Sequence, residues 1–589
     1  MLLRPLNLFI AGTLLLLSAA PLIPMLSGEL PVFFLNIVAM QFISLLAVWA
    51  VFKRPAWFFW LLAPAFIALP IEIYLQRYFG QGISPHHLGV IIESSPEEAV
   101  EFLGNKVWLV GAAALIMIAW FVLGWRAALR TRDLDWTDKS RWVILGLFGI
   151  GLALWLYGLK GGVPVSAGST APSSALRSMP PRLPAWAQIR IDTEVFGKTW
   201  PFGLIVHAYD FWNERKYLSE LAEKSSRFKF GAHHDAPADR PEIVIMVIGE
   251  SSRYDRWSVN GYRRETNPLL GAEANLVSLS DVITSVSATR LSVPVLMSRK
   301  PATQSLKAGF SEKSFITAFK EAGFKTWWLS NQMSFGKFDT PVSVFAQEAD
   351  VRQFANLGSV SRKSNYDEVL LEPLTMAMRD PAPRKLIVLH TLGNHWNYSH
   401  RHPREYDKWQ PSLYGIDRPA YTSPKLKTPI NNSYDNSILY TDWFLSQVIG
   451  SLKSSGKLTS LMYISDHGQT LYDGSCNLAF HGHNTQYEFH VPALVWYSDL
   501  YRAAYPGKIE RLNHNRRAKL STENIFHSLL DMADIRYPAE QLERSLFSSR
   551  LKPHKRYVDS YGWADYDNAV MTGDCREVID KGKPLVREK

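Results

Sequence analysis

The chain has 589 residues, 64 Lys+Arg against 54 Asp+Glu (a formal net charge of +10), 47% hydrophobic residues, 20 Trp and 2 Cys. This composition excludes an intrinsically disordered chain, a disulfide-dense scaffold and a Cys-rich zinc site, and the length excludes a single small module. A mean hydropathy of −0.08 averages two halves of opposite character. The first half carries five apolar stretches of about 20 residues, each long enough to cross a bilayer as a helix: roughly 8–26, 32–52, 57–75, 107–125 and 142–159. The first stretch lacks a small-residue cleavage site and is read as a retained helix, not a signal peptide. Basic residues set the orientation. Arg4 precedes span one, Lys53 and Arg54 follow span two, and Arg126, Arg130, Arg132, Lys139 and Arg141 lie between spans four and five. With these in the cytoplasm, everything after span five is outside.

The outer loop at 76–106 contains Ser94-Ser95-Pro96-Glu97-Glu98-Ala99, a helix-start pattern. It reads equally as a helix lying on the membrane or as part of a substrate site. His86 and His87 read as exposed polar residues. The stretch 161–201 is rich in Gly, Pro and Ser, which is linker chemistry. Arg177, Arg182 and Arg190 with Trp186 and Trp200 suit a lipid headgroup surface. The expected organisation is a five-span membrane domain at 1–160, a linker with interfacial helices at 161–240 and an exported domain at 241–589.

From about residue 241, short β-branched runs alternate with amphipathic stretches. The runs are 243–248, 326–329, 386–389, 461–464 and 493–496; helices are expected at 315–322 and 434–452. This alternation predicts an α/β fold with a mostly parallel sheet flanked by helices. Catalytic groups in such folds collect where strands run into loops. After the first run comes Gly249-Glu250-Ser251-Ser252. The third leads into His390-Thr391-Leu392-Gly393-Asn394-His395, and the fourth into Ser465-Asp466-His467-Gly468. His481-Gly482-His483 precedes the fifth. One strand-end acid alone is more often a helix cap than a ligand. Four such ends in register make a carboxylate–imidazole metal site, with zinc as the leading ion.

Displacement chemistry also needs a hydroxyl. The stretch 284–294 supplies several just before an apolar run at 293–297 that could open a helix. A hydroxyl at a helix N-terminus faces N–H groups that stabilise phosphoryl oxygens. N-cap and turn roles fit the same residues. The residues alone do not choose between Ser287 and Thr289.

At this point the sequence resembles a known family. Gly249-Glu250-Ser251-Ser252-Arg253 and Asn260-Gly261-Tyr262-Arg263-Arg264-Glu265-Thr266-Asn267-Pro268 resemble the opening signature of the membrane-bound phosphoethanolamine transferases of Gram-negative bacteria. These enzymes belong to the alkaline phosphatase/sulfatase superfamily. Ser292-Val293-Pro294, the His390 to His395 stretch, the Tyr434 to Tyr440 motif with Asp442, and Ser465-Asp466-His467-Gly468 agree, as does the five-span layout. The resemblance implies zinc held by Glu250, Asp466 and His467, with Thr289 as both nucleophile and fourth ligand. It implies that His395 and His481 hold the substrate phosphate or a second zinc, and that Lys337 contacts substrate. It implies a two-step reaction in which Thr289 takes phosphoethanolamine from phosphatidylethanolamine, releasing diacylglycerol. The group then passes to an envelope glycolipid, lipid A or a lipopolysaccharide core sugar. The enzyme is expected in the bacterial inner membrane as a monomer with its catalytic domain in the periplasm. An added amine would mask anionic charge and weaken the binding of cationic peptides such as polymyxin.

The sequence departs from the lipid A-modifying members in two ways. They carry several disulfides, whereas Cys476 and Cys575 lie outside those positions and could form one bridge or stay two thiols. They also carry an acid where this chain has Gln469. Competing readings are a phosphoglycerol transferase or related hydrolase on the same fold, and a non-catalytic membrane sensor. No cysteine sits in a sulfatase nucleophile context. The basic balance is spread over loops and linker and points to anionic lipid, with no nucleic acid partner expected.

Overall fold

The computed structural model describes residues 4–27, 34–79, 82–93, 107–160, 193–225, 227–237, 240–304, 312–333, 341–356, 366–416, 419, 423–559, 563–571, 573–576 and 578. The chain forms two compact units. One comprises Met1–Ile92 and Val107–Trp212, and the other contains Asn213–Lys589. Of the expected linker at 161–240, residues 161–192 lie outside the described residues, as do Ser94 to Ala99 and Lys337.

The first unit is helical. Its apolar helices are α1 (Pro5–Ser18), α2 (Phe34–Phe52), α3 (Ala63–Phe79), α4 (Pro85–Glu93), α5 (Val107–Arg130) and α6 (Ser140–Lys160), and the chain continues into α7 (Gly203–Lys224). Among the described residues, three segments are long and apolar enough to span a bilayer: Phe34–Phe52, Pro55–Gln76 and Trp108–Arg130. Pro5–Ser18 and Ser140–Leu154 are apolar but shorter. The first expected span stops at Ser18 and continues as a 3-10 turn over Ala20–Ser27. Pro21 and Pro24 lie in that turn, and neither can donate to an α-helical ladder. Phe59, Phe66 and Phe121 pack with Trp120, whose indole donates to Thr13 Oγ1 at 3.0 Å. Two loop arginines are engaged locally. Arg54 pairs with Asp135, and Arg141 donates to the Ala50 carbonyl at the end of α2. His87 is half-buried, not exposed, and its Nδ1 meets the Ser84 hydroxyl at 2.8 Å.

The second unit is built on a seven-stranded sheet. Its strands are β1 (Glu242–Gly249), β2 (Leu276–Leu279), β3 (Lys325–Met333), β4 (Val351–Asn356), β5 (Arg384–His390), β6 (Leu458–Ser465) and β7 (Ala493–Tyr497), in the order β2-β7-β6-β1-β5-β3-β4. The five strands from β6 to β4 run parallel, while β7 is antiparallel to both β6 and β2, so the sheet is mixed. All five expected apolar runs are strands. The short β2 alternates partly exposed and buried residues, and β4 is an edge strand with none of its residues 351–355 buried, so neither makes an apolar run in the sequence.

Every residue of β1 is buried. Alternate side chains point to opposite faces. Val244, Met246 and Ile248 join one core with helices α8 (Thr289–Met297), α9 (Phe315–Glu321) and α12 (Ile525–Met532). Ile243, Ile245 and Val247 join the other with α10 (Leu371–Arg379) and α11 (Lys427–Ser454). This burial on both faces explains the unbroken apolar run in the sequence. Register then does the positioning. Ile248 pairs with His390 on one side and Ile464 on the other, and Gly249 pairs with Ser465. The residues after β1, β5 and β6 therefore emerge side by side.

Candidate active site

Glu250, Asp466 and His467 meet where β1 and β6 end, each buried, with one potential ligand atom apiece within 4.8 Å of the others. His467 Nε2 lies 3.4 Å from Glu250 Oε1 and 3.5 Å from Asp466 Oδ2. Its Nδ1–H donates to the Gly468 carbonyl at 2.8 Å, which turns the Nε2 lone pair toward the carboxylates. Asp466 is held through Oδ1, which accepts the N–H of Ser251 (3.0 Å) and of His467 (2.7 Å). Its buried Oδ2 has no hydrogen-bond donor among the described residues. Burial and the neighbouring Asp466 carboxylate push the Glu250 carboxyl well above its ordinary range. Two buried acids, a donorless oxygen and an aligned imidazole fit a divalent cation, and the O/N donor set suits zinc.

Backbone geometry makes this approach possible. Ser251 adopts φ +57° directly after Glu250, a left-handed conformation that costs energy for a non-glycine residue. Its hydroxyl donates to Glu250 Oε1 at 2.5 Å. Gly393 has φ +49°, and a Cβ there would sit 2.8 Å from the Glu250 carbonyl oxygen. The loop after β5 can press on Glu250 only because residue 393 is glycine.

Thr289 is the first residue of α8. Its hydroxyl donates to Glu250 Oε2 at 3.1 Å and lies 3.4 Å from His467 Nε2. Ser287 turns elsewhere and lies beside the Glu488 carboxyl group. The helix therefore opens four residues before the expected apolar run, and its first hydroxyl faces the trio.

His481 lies beside His467 with ring centroids 4.3 Å apart and the rings tilted by 53°, and its Nδ1 lies 3.2 Å from Gln469 Oε1. His395 Nδ1 lies 2.6 Å from the Trp396 carbonyl. Burial pushes the His395 imidazole down to about 4, and nearby Arg401 acts in the same direction. The structure thus gathers Glu250, Thr289, Asp466, His467 and His481 and places His395 within electrostatic reach of His467 and Asp466.

Sequence reasoning missed Gln332, whose amide donates to Glu250 Oε2 (3.3 Å) and to the Thr391 carbonyl (2.9 Å). Its position near the end of β3, beside β5, was the available signal. It also missed Glu488, which no local pattern marks. Cys476 and Cys575 are joined in a disulfide.

A protein-family model described as Sulfatase matches residues 242–535. Phosphoethanolamine transferase EptC of Escherichia coli strain K12 is 26% identical over 492 residues, 82% of this chain and 80% of that protein. The crystal structure of the C-terminal periplasmic domain of E. coli EptC in complex with zinc is 26% identical, with a TM-score of 0.53 over 59% of this chain and 98% of that one. The integral membrane lipooligosaccharide phosphoethanolamine transferase A of Neisseria meningitidis shares the fold at 21% identity. Its TM-score is 0.61 over 87% of this chain and 91% of that one. The chain carries a sulfatase-family domain and is a homologue of the bacterial membrane phosphoethanolamine transferases.

Proposed function

We propose that the protein transfers phosphoethanolamine from phosphatidylethanolamine to an envelope glycolipid through a covalent adduct on Thr289. The observation that carries this reading is the Thr289 hydroxyl, aimed at Glu250 and His467 from the first turn of α8. The similarity to EptC over most of both chains supports the transferred group. Glu250, Asp466, His467 and Thr289 would hold zinc, which when bound supplies Lewis acidity to a phosphoryl oxygen and lowers the pKa of a hydroxyl.

In the first step Thr289 Oγ1 forms a bond to phosphorus and the bond to the diacylglycerol oxygen breaks. The threonine proton leaves through its hydrogen-bond acceptor, and a proton reaches the diacylglycerol oxygen. In the second step an acceptor hydroxyl attacks the same phosphorus and Thr289 Oγ1 regains a proton. His395 and His481 each direct Nδ1 to a carbonyl oxygen, which leaves Nε2 as the nitrogen that takes up the acceptor's proton. Lys337 would offset the charge of the diester. Five apolar helices would anchor the chain in the inner membrane, with the site in the periplasm and the donor arriving by lateral diffusion.

Mass spectrometry tests this after the protein is incubated with phosphatidylethanolamine vesicles and zinc. The expected result is a phosphoethanolamine adduct on the Thr289 peptide together with free diacylglycerol. An adduct on Ser287 would overturn the site assignment. Zinc-loaded protein that yields neither product would overturn the donor.

A further inference from the structure

Glu488 is fully buried outside the cation-facing trio, yet it touches three separate pieces of the site. Its Oε2 accepts the N–H groups of Gly482 (3.0 Å), His483 (3.1 Å) and Asn484 (3.1 Å), the three residues after His481. Its Oε1 accepts the His483 N–H as well, at 3.2 Å. The Ser287 hydroxyl also lies beside the carboxyl group, two residues before Thr289. The Glu488 carbonyl accepts the Gly468 N–H at 2.7 Å, immediately after His467.

A buried carboxylate is expensive and persists only where donors surround it. Here three consecutive N–H groups converge on it, the concave arrangement that backbones use to hold anions. The loop it binds needs an external restraint. Gly482 and Asn484 have φ of +88° and +59°, and a left-handed non-glycine residue holds its conformation only when its surroundings fix it. The approach on the other side is also tight, because a Cβ on Gly468 would lie 2.1 Å from the Tyr487 carbonyl oxygen.

We propose that Glu488 is a positioning residue for the transfer reaction: its carboxyl group fixes the loop after His481 and so holds His481 in place. This rests on the reading that His481 serves the reaction. Among the described residues the Glu488 carboxyl makes no hydrogen bond to the expected cation ligands, so its effect reaches the chemistry through His481.

A double-mutant cycle on the full chain, purified with zinc in detergent, separates this role from simple stabilisation. The variants are E488A, H481A and E488A/H481A, with E488Q as the conservative change. The readouts are kcat and KM for diacylglycerol release, bound zinc, and amide hydrogen exchange at 482–484. E488A is expected to lower kcat at least about tenfold with KM within about twofold, to retain zinc, and to speed exchange at 482–484. In the H481A background E488A should change kcat by less than about twofold, because its route to the chemistry is already gone. E488Q keeps one acceptor oxygen and should recover part of the loss. Wild-type kcat in E488A, or single losses that multiply in the double variant, would overturn the proposal. If H481A turns over like wild type while exchange in E488A still rises, the reading of His481 is what has failed. If E488A does not fold, E488Q enters the same cycle in its place. It should show a smaller kcat loss, again absent in H481A.

Discussion

At Gly393 a single hydrogen atom decides whether the site can form. A Cβ would meet the Glu250 carbonyl oxygen at 2.8 Å and its nitrogen at 2.9 Å, both backbone atoms that cannot rotate away. The positive φ adds strain for any L side chain. G393A is therefore expected to displace Glu250, lower bound zinc below one equivalent and destabilise the chain by about 1–3 kcal/mol. Metal analysis and thermal unfolding check both effects, and full zinc content would show that the loop absorbs the clash. D466N leaves an acceptor for the Ser251 and His467 N–H groups but removes the charge, so zinc should fall with little loss of fold. The strand ends that carry Glu250 and Asp466-His467 were legible in the sequence as polar breaks after apolar runs, while singling these three out from the four such ends came from the family resemblance. The choice between Ser287 and Thr289 was not legible, since both are hydroxyls near one helix start and two residues of rotation separate Glu250 from Glu488 as neighbour. Glu488 itself was illegible because its partners are backbone N–H groups, which carry no residue signature.

On helix α11, residues that the resemblance marked without giving them a role turn out to brace the segment after Glu250. The Tyr434 hydroxyl donates to the Ser251 carbonyl (2.7 Å) and accepts the Arg253 N–H (2.9 Å). Buried Asp435 accepts from Arg256 (3.2 Å), Tyr262 (2.8 Å) and Arg264 (2.7 Å). Asp442 receives the N–H groups of Leu269 and Leu270, both at 2.9 Å. The helix periodicity at 434–452 was readable, but which face carried this network depends on a partner segment about 170–180 residues away. Burial pushes the Asp442 carboxyl from 3.8 up to about 6. The folded state therefore holds this proton more tightly than the unfolded chain. That preference favours folding below about pH 4 and is lost as pH rises through 6. The Tm of wild type should show this decline, and D442N, which does not titrate, should show less of it. Parallel pH profiles for the two proteins would place the titration elsewhere.

Across the whole molecule, the Cys476–Cys575 disulfide joins positions 99 residues apart in the sequence and pins the tail against the loop that carries His481. Tail backbone completes that loop, since Val578 N–H donates to the Asn484 carbonyl and Gln486 N–H to the Arg576 carbonyl. Asp574 accepts from both the N–H and the hydroxyl of Ser475. The sequence left this pairing open because two cysteines in an exported domain carry no geometry, whereas the fold brings their Cα atoms to 5.2 Å. A loop of this length restrains the unfolded chain by up to about 4–5 kcal/mol in the chain-entropy model, an upper figure that native strain reduces. Replacing both cysteines with serine is expected to lower Tm by several degrees and to expose the tail to protease from about residue 570 onward. Bound zinc should not change, because Glu250, Asp466 and His467 sit on strand ends that the bridge does not touch. The tail should loosen first, since the disulfide is the cross-link that ties it to the loop carrying His481. Reductant on the wild-type protein should reproduce the serine variant. Identical Tm and identical tail protection with and without the bridge would mean that the tail's hydrogen bonds alone hold it in place.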